Sequence, residues 1–324
     1  MGSPLRGPCE RTTGDKYGKQ KDSHRDRRLA RHRSGRCPGL FGPLLTRLAD
    51  NYHPVAPDYP GYGQSDWPDP KGFDYTSDDI ATVMDGFTRA LGLSQYTLYM
   101  QDYDGPVGFR MASTHPERVQ ALIVQDAVAH NEGLGANWAT RRAFWADRPA
   151  HEEALRKNLL SLATTKIRHI GDDPNIEIYD PDLWTDEYAF LNAPRQAQIQ
   201  SDLFYDYRTN VDAYPKWQAW LQKTQPRLLV LWGKHNLSFD LGEPERYRKD
   251  VPNAEVYVLD AGHFALDTKT DEIAVLVREF MNDAEVSSAF RSSMEPRLSS
   301  LERSGSHGRN ALYQGTTLVG PHRE

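Results

Sequence analysis

The fold of this chain is decided by the stretch Tyr96-Thr-Leu-Tyr-Met-Gln-Asp-Tyr-Asp-Gly105. Its first five residues are mostly β-branched, aromatic or aliphatic, which predicts a strand, and residues 106–114 predict a helix. The turn between them has Asp102 at its apex. An aspartate carboxylate has an ordinary pKa of about 3.9, so it is ionised at neutral pH. Asp102 can therefore act as a nucleophile without a base to activate it.

The segments on either side of this stretch predict alternating strands and helices. Further strands are predicted at 52–57, which Pro54 weakens, and at 118–124, 228–232 and 255–259. Helices are predicted at 40–48, 77–91 and 273–281. Strands that alternate with helices indicate an α/β fold, a mostly parallel sheet flanked by helices.

The chain is predicted to contain four regions. Residues 40–127 and 223–283 form the α/β core, and residues 128–222 form a helical insertion that is rich in Trp, Tyr and Arg. Residues 1–39 form a basic head, and residues 284–324 form a tail rich in Ser, Arg and Gly. We expect both terminal segments to be disordered because they carry few apolar residues.

Composition excludes several classes of protein. Residues 1–37 carry eleven Lys and Arg against four Asp and Glu, a charge of +7, so the remaining residues carry −13 of the total of −6. A region with so large a net negative charge is not expected to bind nucleic acid. The two cysteines, Cys9 and Cys37, are too few for a disulfide framework or a zinc site. We find neither a membrane span nor a signal peptide, and we expect a cytoplasmic protein.

Three motifs, in this order, resemble the α/β-hydrolase superfamily and, within it, the haloalkane dehalogenases and epoxide hydrolases. Asp58-Tyr-Pro-Gly-Tyr-Gly-Gln-Ser65 is similar to a Gly-rich turn of that family. Gln101-Asp102-Tyr103 resembles the dehalogenase nucleophile elbow, in which Trp more often follows the aspartate. Ala261-Gly-His263-Phe resembles the loop of the catalytic histidine, and residues 128–222 stand where the family has a helical cap.

The resemblance implies a hydrolase that forms an alkyl ester on its nucleophile. Asp102 would attack an sp³ carbon of a small apolar halide or epoxide, and His263 would then activate water against the ester. The backbone N–H of Tyr103 would help to stabilise the oxyanion. The substrate and water are the expected partners, and neither a metal nor an organic cofactor is needed.

The sequence indicates the third residue of the triad only indirectly. The family often has an acid a few residues after the strand that ends at Trp232, but Asn236 occupies that position here. Some dehalogenases take the acid from the end of the strand before the cap, which corresponds to Asp126. We therefore predict the triad Asp102, His263 and Asp126. Asn236 is a candidate orienting residue, and Asp240 is an alternative acid.

One strand that the resemblance requires cannot be identified in the sequence. The strand expected between those at 52–57 and 96–100 should end in a His-Gly motif, and residues 1–39 contain neither. Without it, backbone groups of both neighbouring strands would lack partners and half of the oxyanion hole would be absent. We hypothesise that residues 1–37, with 284–324 as a second candidate, arise from a frameshift or an incorrect gene model. The chain as written should then be marginally stable or aggregate.

Two alternatives to a dehalogenase stay open. Tyr103 and the tyrosines of the cap agree with an epoxide hydrolase. Asn236, Asp104 in place of the usual Gly, and the missing strand agree with a catalytically impaired protein that binds a ligand or partner. The oligomeric state cannot be inferred from the sequence.

Overall fold

The computed structural model describes residues 40–282 and 317–321. The predicted basic head, residues 1–39, lies outside the described residues, as does the predicted tail except for residues 317–321.

A six-stranded, mostly parallel sheet forms the centre of the protein. Its strands lie in the order β1-β6-β2-β3-β4-β5. The four strands β2 to β5 pair in parallel. The strands are β1 (Tyr52–Val55), β2 (Tyr96–Gln101), β3 (Val119–Gln125), β4 (Leu228–Gly233), β5 (Glu255–Leu259) and β6 (Thr317–Pro321). This arrangement confirms the predicted α/β class.

Strand β6 occupies the sheet position for which we found no strand in residues 1–39. It pairs antiparallel with β1 on one side and with β2 on the other. Residues 317–321, which we assigned to the tail, form this strand, and the rest of the predicted tail lies outside the described residues. The physical reason is that both neighbouring strands present backbone donors and acceptors that a third strand can satisfy. The sequence signal was the short run Thr317-Leu-Val319.

Helices cover the sheet and fill the long connection between β3 and β4. Around the sheet they are α1 (Gly42–Leu48), α2 (Ser77–Ala90), α3 (Asp104–Thr114), α9 (Glu243–Asp250) and α10 (Leu266–Asn282). Within the connection they are α4 (Ala139–Ala146), α5 (Arg148–Leu159), α6 (Leu162–Ile170), α7 (Asp182–Leu191) and α8 (Gln196–Thr224). That this insertion acts as a cap stays a prediction.

The two faces of the sheet pack against different helices, because successive strand residues point in opposite directions. Leu98 and Met100 of β2 pack into one core cluster with residues of α2, α3 and α8. Tyr99, between them, packs into the other cluster with residues of α1 and α10. Gly108 of α3 lets that helix approach β2, since a Cβ there would lie 2.1 Å from the Sδ of Met100. The central strands are thus buried on both faces, as parallel strands are.

The topology brings the predicted site residues to one edge of the sheet. Asp102 follows β2, Asp126 follows β3, Asn236 follows β4 and His263 follows β5. The carboxyl ends of parallel strands meet at the same edge, where ligands of open α/β sheets bind. Among the described residues, no helix is both long and apolar enough to cross a membrane.

Candidate active site

Asp102 occupies a strained backbone conformation at the turn between β2 and α3. Its φ is 50°, in the left-handed region that costs a residue other than glycine of the order of 1 kcal/mol or more. Such strain is characteristic of a nucleophile elbow, which lifts the side chain above the sheet. Gly105 permits the close packing of the turn, because a Cβ there would lie 2.8 Å from that of Ala127.

His263 faces Asp102 from the loop between β5 and α10. Its Nε2 lies 3.3 Å from Oδ2 of Asp102, and its side chain is 1% exposed. Phe264 and Phe239 pack against the imidazole at centroid distances of 4.7 and 5.5 Å. Gln101 adds a polar contact, with Nε2 3.4 Å from Nε2 of His263. A basic nitrogen is thus held beside the carboxylate in a buried site.

Asp126 also has a left-handed backbone conformation, with φ of 45°, and its carboxylate is buried. It accepts hydrogen bonds from the N–H of Gly233 at 3.0 Å and from Nδ2 of Asn236 at 2.8 Å. Burial raises the pKa of Asp126 to about 7, while the nearby His263 and these two donors oppose the rise. Asp126 therefore titrates close to neutral pH and interacts electrostatically with His263.

The second ring nitrogen of His263, Nδ1, differs from Nε2 in its contacts. Within the described ranges, Nδ1 of His263 is buried and makes no hydrogen bond. The structure thus brings the three predicted triad residues to one site, with the contact between Asp102 and His263 formed. The alternative acid, Asp240, is 42% exposed and pairs with Arg246 at 2.9 Å.

Asn236 contacts the acid rather than the histidine. Its Nδ2 donates to Asp126, and its Oδ1 accepts from the backbone N–H groups of Ser238 at 2.7 Å and Phe239 at 3.3 Å. The side chain therefore fixes the loop after β4 against the carboxylate of Asp126. Among the described residues, the amide of Asn236 thus contacts Asp126, and its role as an orienting residue stays a prediction.

Asp104 adds a second buried carboxyl group next to the elbow. Its Oδ2 accepts a hydrogen bond from the N–H of Gln101 at 3.2 Å. Burial raises the pKa of Asp104 well above its usual range, and the charge of Asp102 raises it further. Burial and the neighbouring carboxylate of Asp102 thus favour the neutral form of Asp104, whereas the hydrogen bond from Gln101 favours the ionised form.

Three tyrosine hydroxyls lie in the electrostatic neighbourhood of Asp102, those of Tyr62, Tyr103 and Tyr207. Burial raises the pKa of each, and Asp102 raises it further, so all three stay protonated. In the described part of the chain, the hydroxyl of Tyr103 is buried without a hydrogen-bond partner. The prediction for Tyr103 concerned its backbone N–H. Its side-chain hydroxyl bears on the alternative of an epoxide hydrolase, for which we also cited Tyr103 from the sequence.

The tryptophans of α4 and its preceding turn donate to the backbone instead. Nε1 of Trp138 donates to the carbonyl of Ser238 at 2.8 Å, and Nε1 of Trp145 donates to that of Phe204 at 2.7 Å. Both rings pack on Tyr207, at centroid distances of 4.8 and 6.2 Å. These indoles form an aromatic wall, and their N–H groups are already engaged.

Comparisons with known proteins show the family and the fold of the chain. Residues 37–270 match the family model described as alpha/beta hydrolase fold. The chain is 33% identical over 239 residues to "Uncharacterized hydrolase YNR064C" of Saccharomyces cerevisiae, which covers 72% of this chain and 82% of that protein. It is 35% identical over 117 residues to haloalkane dehalogenase 2 of Mycobacterium tuberculosis, which covers 36% of this chain and 34% of that protein.

A solved epoxide hydrolase, CorEH, is similar with a TM-score of 0.60 at 18% identity, covering 75% of this chain and 86% of that one. At this identity the likeness concerns the fold alone. Together these similarities confirm the predicted resemblance to the superfamily that includes haloalkane dehalogenases and epoxide hydrolases.

Proposed function

Because the chain belongs to the α/β-hydrolase family, we propose that it is a hydrolase whose nucleophile is the carboxylate of Asp102. The observation that supports this most is the strained elbow aspartate with Nε2 of His263 3.3 Å from its Oδ2. A carboxylate at this position attacks an electrophilic sp³ carbon, whereas a serine would attack an acyl carbon.

The reaction has two steps. In the first, an oxygen of Asp102 forms a bond to the substrate carbon while the bond to the leaving group breaks with its electron pair. In the second, Nε2 of His263 takes a proton from water, and the resulting hydroxide attacks the carbonyl carbon of the ester. The ester C–O bond then breaks, which releases the alcohol product and restores the carboxylate. With a halide substrate, the proton on His263 finally passes to solvent.

Asp126 is the acid that supports the histidine in this scheme. When His263 becomes an imidazolium, its positive charge favours the ionised form of Asp126, and an ionised Asp126 in turn stabilises the imidazolium. In this scheme the acid serves Nδ1 of His263, which is buried without a hydrogen-bond partner among the described residues. Asn236 and Gly233 keep the carboxylate within reach by donating hydrogen bonds to it.

Carbon–halide hydrolysis is the first candidate reaction, and epoxide hydrolysis is the second. The relative named haloalkane dehalogenase 2 supports the first. The buried hydroxyl of Tyr103 supports the second, because a phenol can give a proton to the oxygen of an opening epoxide and regain one during ester hydrolysis. The engaged indoles of Trp138 and Trp145 also offer no N–H group to a departing halide.

Halide release from chloro- and bromoalkanes and diol release from terminal epoxides test the proposal. We expect activity in the wild type and none in Asp102→Asn, while Asp240→Asn, which changes an exposed carboxylate, serves as the matched control. In His263→Phe the ester should accumulate and appear by mass spectrometry as an adduct on the peptide that contains Asp102.

Isotope labelling locates the attack of water. In ¹⁸O-water, label should enter the carboxylate of Asp102 before it reaches the product, because hydroxide attacks the ester carbonyl. Label found directly in the product, or turnover by Asp102→Asn, would refute an aspartyl ester. Absence of turnover with both substrate classes in a folded wild type would favour the binding-protein alternative.

A further inference from the structure

A cavity of about 650 Å³ opens between the helices α4, α5 and α6 and the loop after β4. Most of its lining side chains are small or aliphatic, such as Ala143, Leu155 and Leu237, but Arg141 and Arg168 also line it. Cationic side chains in a largely apolar cavity are costly unless they meet a negative charge. The cavity therefore has a feature that an apolar substrate would not explain.

Arg141 connects this cavity to the nucleophile. Its Cζ lies 4.5 Å from the ring centroid of Trp138 and 5.9 Å from that of Phe204. It also interacts electrostatically with Tyr103 and Asp102. Burial lowers the pKa of Arg141, but a guanidinium remains charged at neutral pH. Phe204 in turn packs on Tyr103, the residue after Asp102, at a centroid distance of 5.9 Å. Arg141 thus lines the cavity and contacts a side chain that packs on the elbow.

Arg168 contributes less net charge. Its Nη2 lies 2.8 Å from Oε1 of Glu187, so that carboxylate balances it. Its Nε is buried without a hydrogen-bond partner among the described residues, which leaves a donor inside the protein for a ligand or a water molecule. The positive charge of Arg168 lowers the pKa of Arg141 further, so an anion between the two side chains would relieve their repulsion.

Formation of the ester changes this balance. Asp102 loses its negative charge once it is alkylated, and Arg141 then no longer faces a carboxylate at the elbow. A carboxylate on the substrate would replace the charge that the reaction removes. Guanidinium groups bind carboxylates through paired, charge-assisted hydrogen bonds.

We propose that the substrate carries a carboxylate next to its reacting carbon, and that Arg141, with Arg168 beside it, binds this group. The inference deepens the proposed function and rests on it for the reacting end of the substrate. The substrate is then a short halo- or epoxy-carboxylate rather than the wholly apolar molecule that we expected from the sequence. Its apolar part contacts the aromatic wall.

Matched pairs of substrates test the proposal. 2-Chloropropionate is compared with 2-chloropropionamide, and glycidate with glycidamide, because each pair differs in charge but hardly in shape. The preference for the acid over the amide, as a ratio of kcat/KM, is measured in the wild type and in Arg141→Met. Arg142→Met is the control, since Arg142 is the exposed neighbour in α4 and donates to Asn131.

We expect Arg141→Met to reduce the preference for the acid by about 10- to 100-fold, chiefly through KM, as expected for one lost charge-assisted hydrogen bond. Arg141→Lys should keep part of it, and Arg142→Met should keep all of it. A wild type that turns over the amides at least as well as the acids, or equal losses for acid and amide in Arg141→Met, would overturn the anion site and leave the proposed function standing.

Binding of propionate, followed by tryptophan fluorescence because Arg141 lies against Trp138, separates the two proposals. Propionate binding that Arg141→Met weakens by a similar factor, without any turnover, would support the anion site and refute the proposed reaction. Neither turnover nor propionate binding in a protein with a cooperative thermal melt would refute both.

Discussion

The side-chain amide of Asn236 holds the carboxylate of Asp126, with 2.8 Å between Nδ2 and Oδ1. The family often has an acid at the position of Asn236, and an amide there brings no charge. In the proposed site the acid is Asp126 at the end of β3, and the amide of Asn236 donates a hydrogen bond to it. The two residues thus form one unit across neighbouring strands.

Replacement of Asn236 by Ala should move the acidic limb of the pH–kcat profile to higher pH. The hydrogen bond from Asn236 lowers the pKa of Asp126, which burial raises to about 7, so its loss should raise that pKa further. A larger share of Asp126 would then be protonated at neutral pH. A pH profile of steady-state kcat measures the shift, and an unchanged acidic limb would mean that Asp126 does not act in its ionised form.

Replacement of Asp126 by Asn should slow hydrolysis of the ester more than its formation. The first step needs only the carboxylate of Asp102, whereas the second generates a charged His263 that Asp126 stabilises. We expect a burst of one equivalent of halide followed by a rate reduced on the order of 10⁴-fold, the loss typical when a triad aspartate becomes asparagine. Rapid-quench kinetics measures both phases. Equal kinetics in Asp126→Asn and in the control Asp240→Asn would exclude Asp126 from the triad.

The elbow and the histidine loop could be predicted because their signals are local. The run before Asp102 has the composition of a buried strand, the run before His263 alternates β-branched and aromatic residues as a half-buried edge strand does, and a turn follows both. The carboxyl edge of a parallel sheet then brings the two residues together without further information.

Two other features depend on contacts between distant segments. Strand β6 pairs with partners more than 200 residues away in sequence, and five residues carry too little pattern to indicate that pairing. The position of Arg141 depends on which side of α4 faces the elbow. A helix of eight residues with several cationic and aromatic side chains does not define that side by its periodicity.

The free energy of unfolding should decrease between about pH 6.5 and 9 because of His169. This buried histidine packs against Phe264 in the loop after β5. Nδ1 and Nε2 of His169 lie 2.7 Å from Asp267 and 3.0 Å from Glu187, respectively. Burial by itself would lower the pKa of His169, but the two carboxylates overcome this effect and raise it to about 9. A pKa raised on folding contributes stability that is complete below the unfolded value and is lost as pH rises through the folded value.

Raising the pKa of His169 from 6.5 to about 9 corresponds to a contribution of roughly 3 to 4 kcal/mol to the free energy of unfolding. His169→Gln should be less stable than the wild type at pH 6.5 and should show a smaller decline towards pH 9 in urea titrations. His130, which lies between Glu243 and Asp250, also has a raised pKa and should account for the decline that remains. His53→Gln, an exposed position, is the control. A decline of unchanged size in His169→Gln would contradict the assignment.

Strand β6 should be required for the stability of the sheet. Val319 lies opposite Pro54 of β1 and Thr97 of β2, so it stands between two neighbours. Val319→Pro removes a backbone N–H and introduces a ring that a central strand does not accommodate. The loss of one ladder hydrogen bond costs about 1 kcal/mol, which corresponds to a decrease in Tm of about 2–4 °C, and the misfit should add to it.

Thermal melts of Val319→Pro and of a chain that ends at residue 316 measure this effect. The truncated chain should melt at a lower temperature still, or aggregate, because β1 and β2 would then face each other across an empty strand position with their backbone groups unsatisfied. A chain that ends at residue 321 keeps the strand and is the matched control. Identical melting curves for all three variants and the wild type would show that β6 does not contribute to the folded sheet, and the expectation of a missing central strand would then be restored.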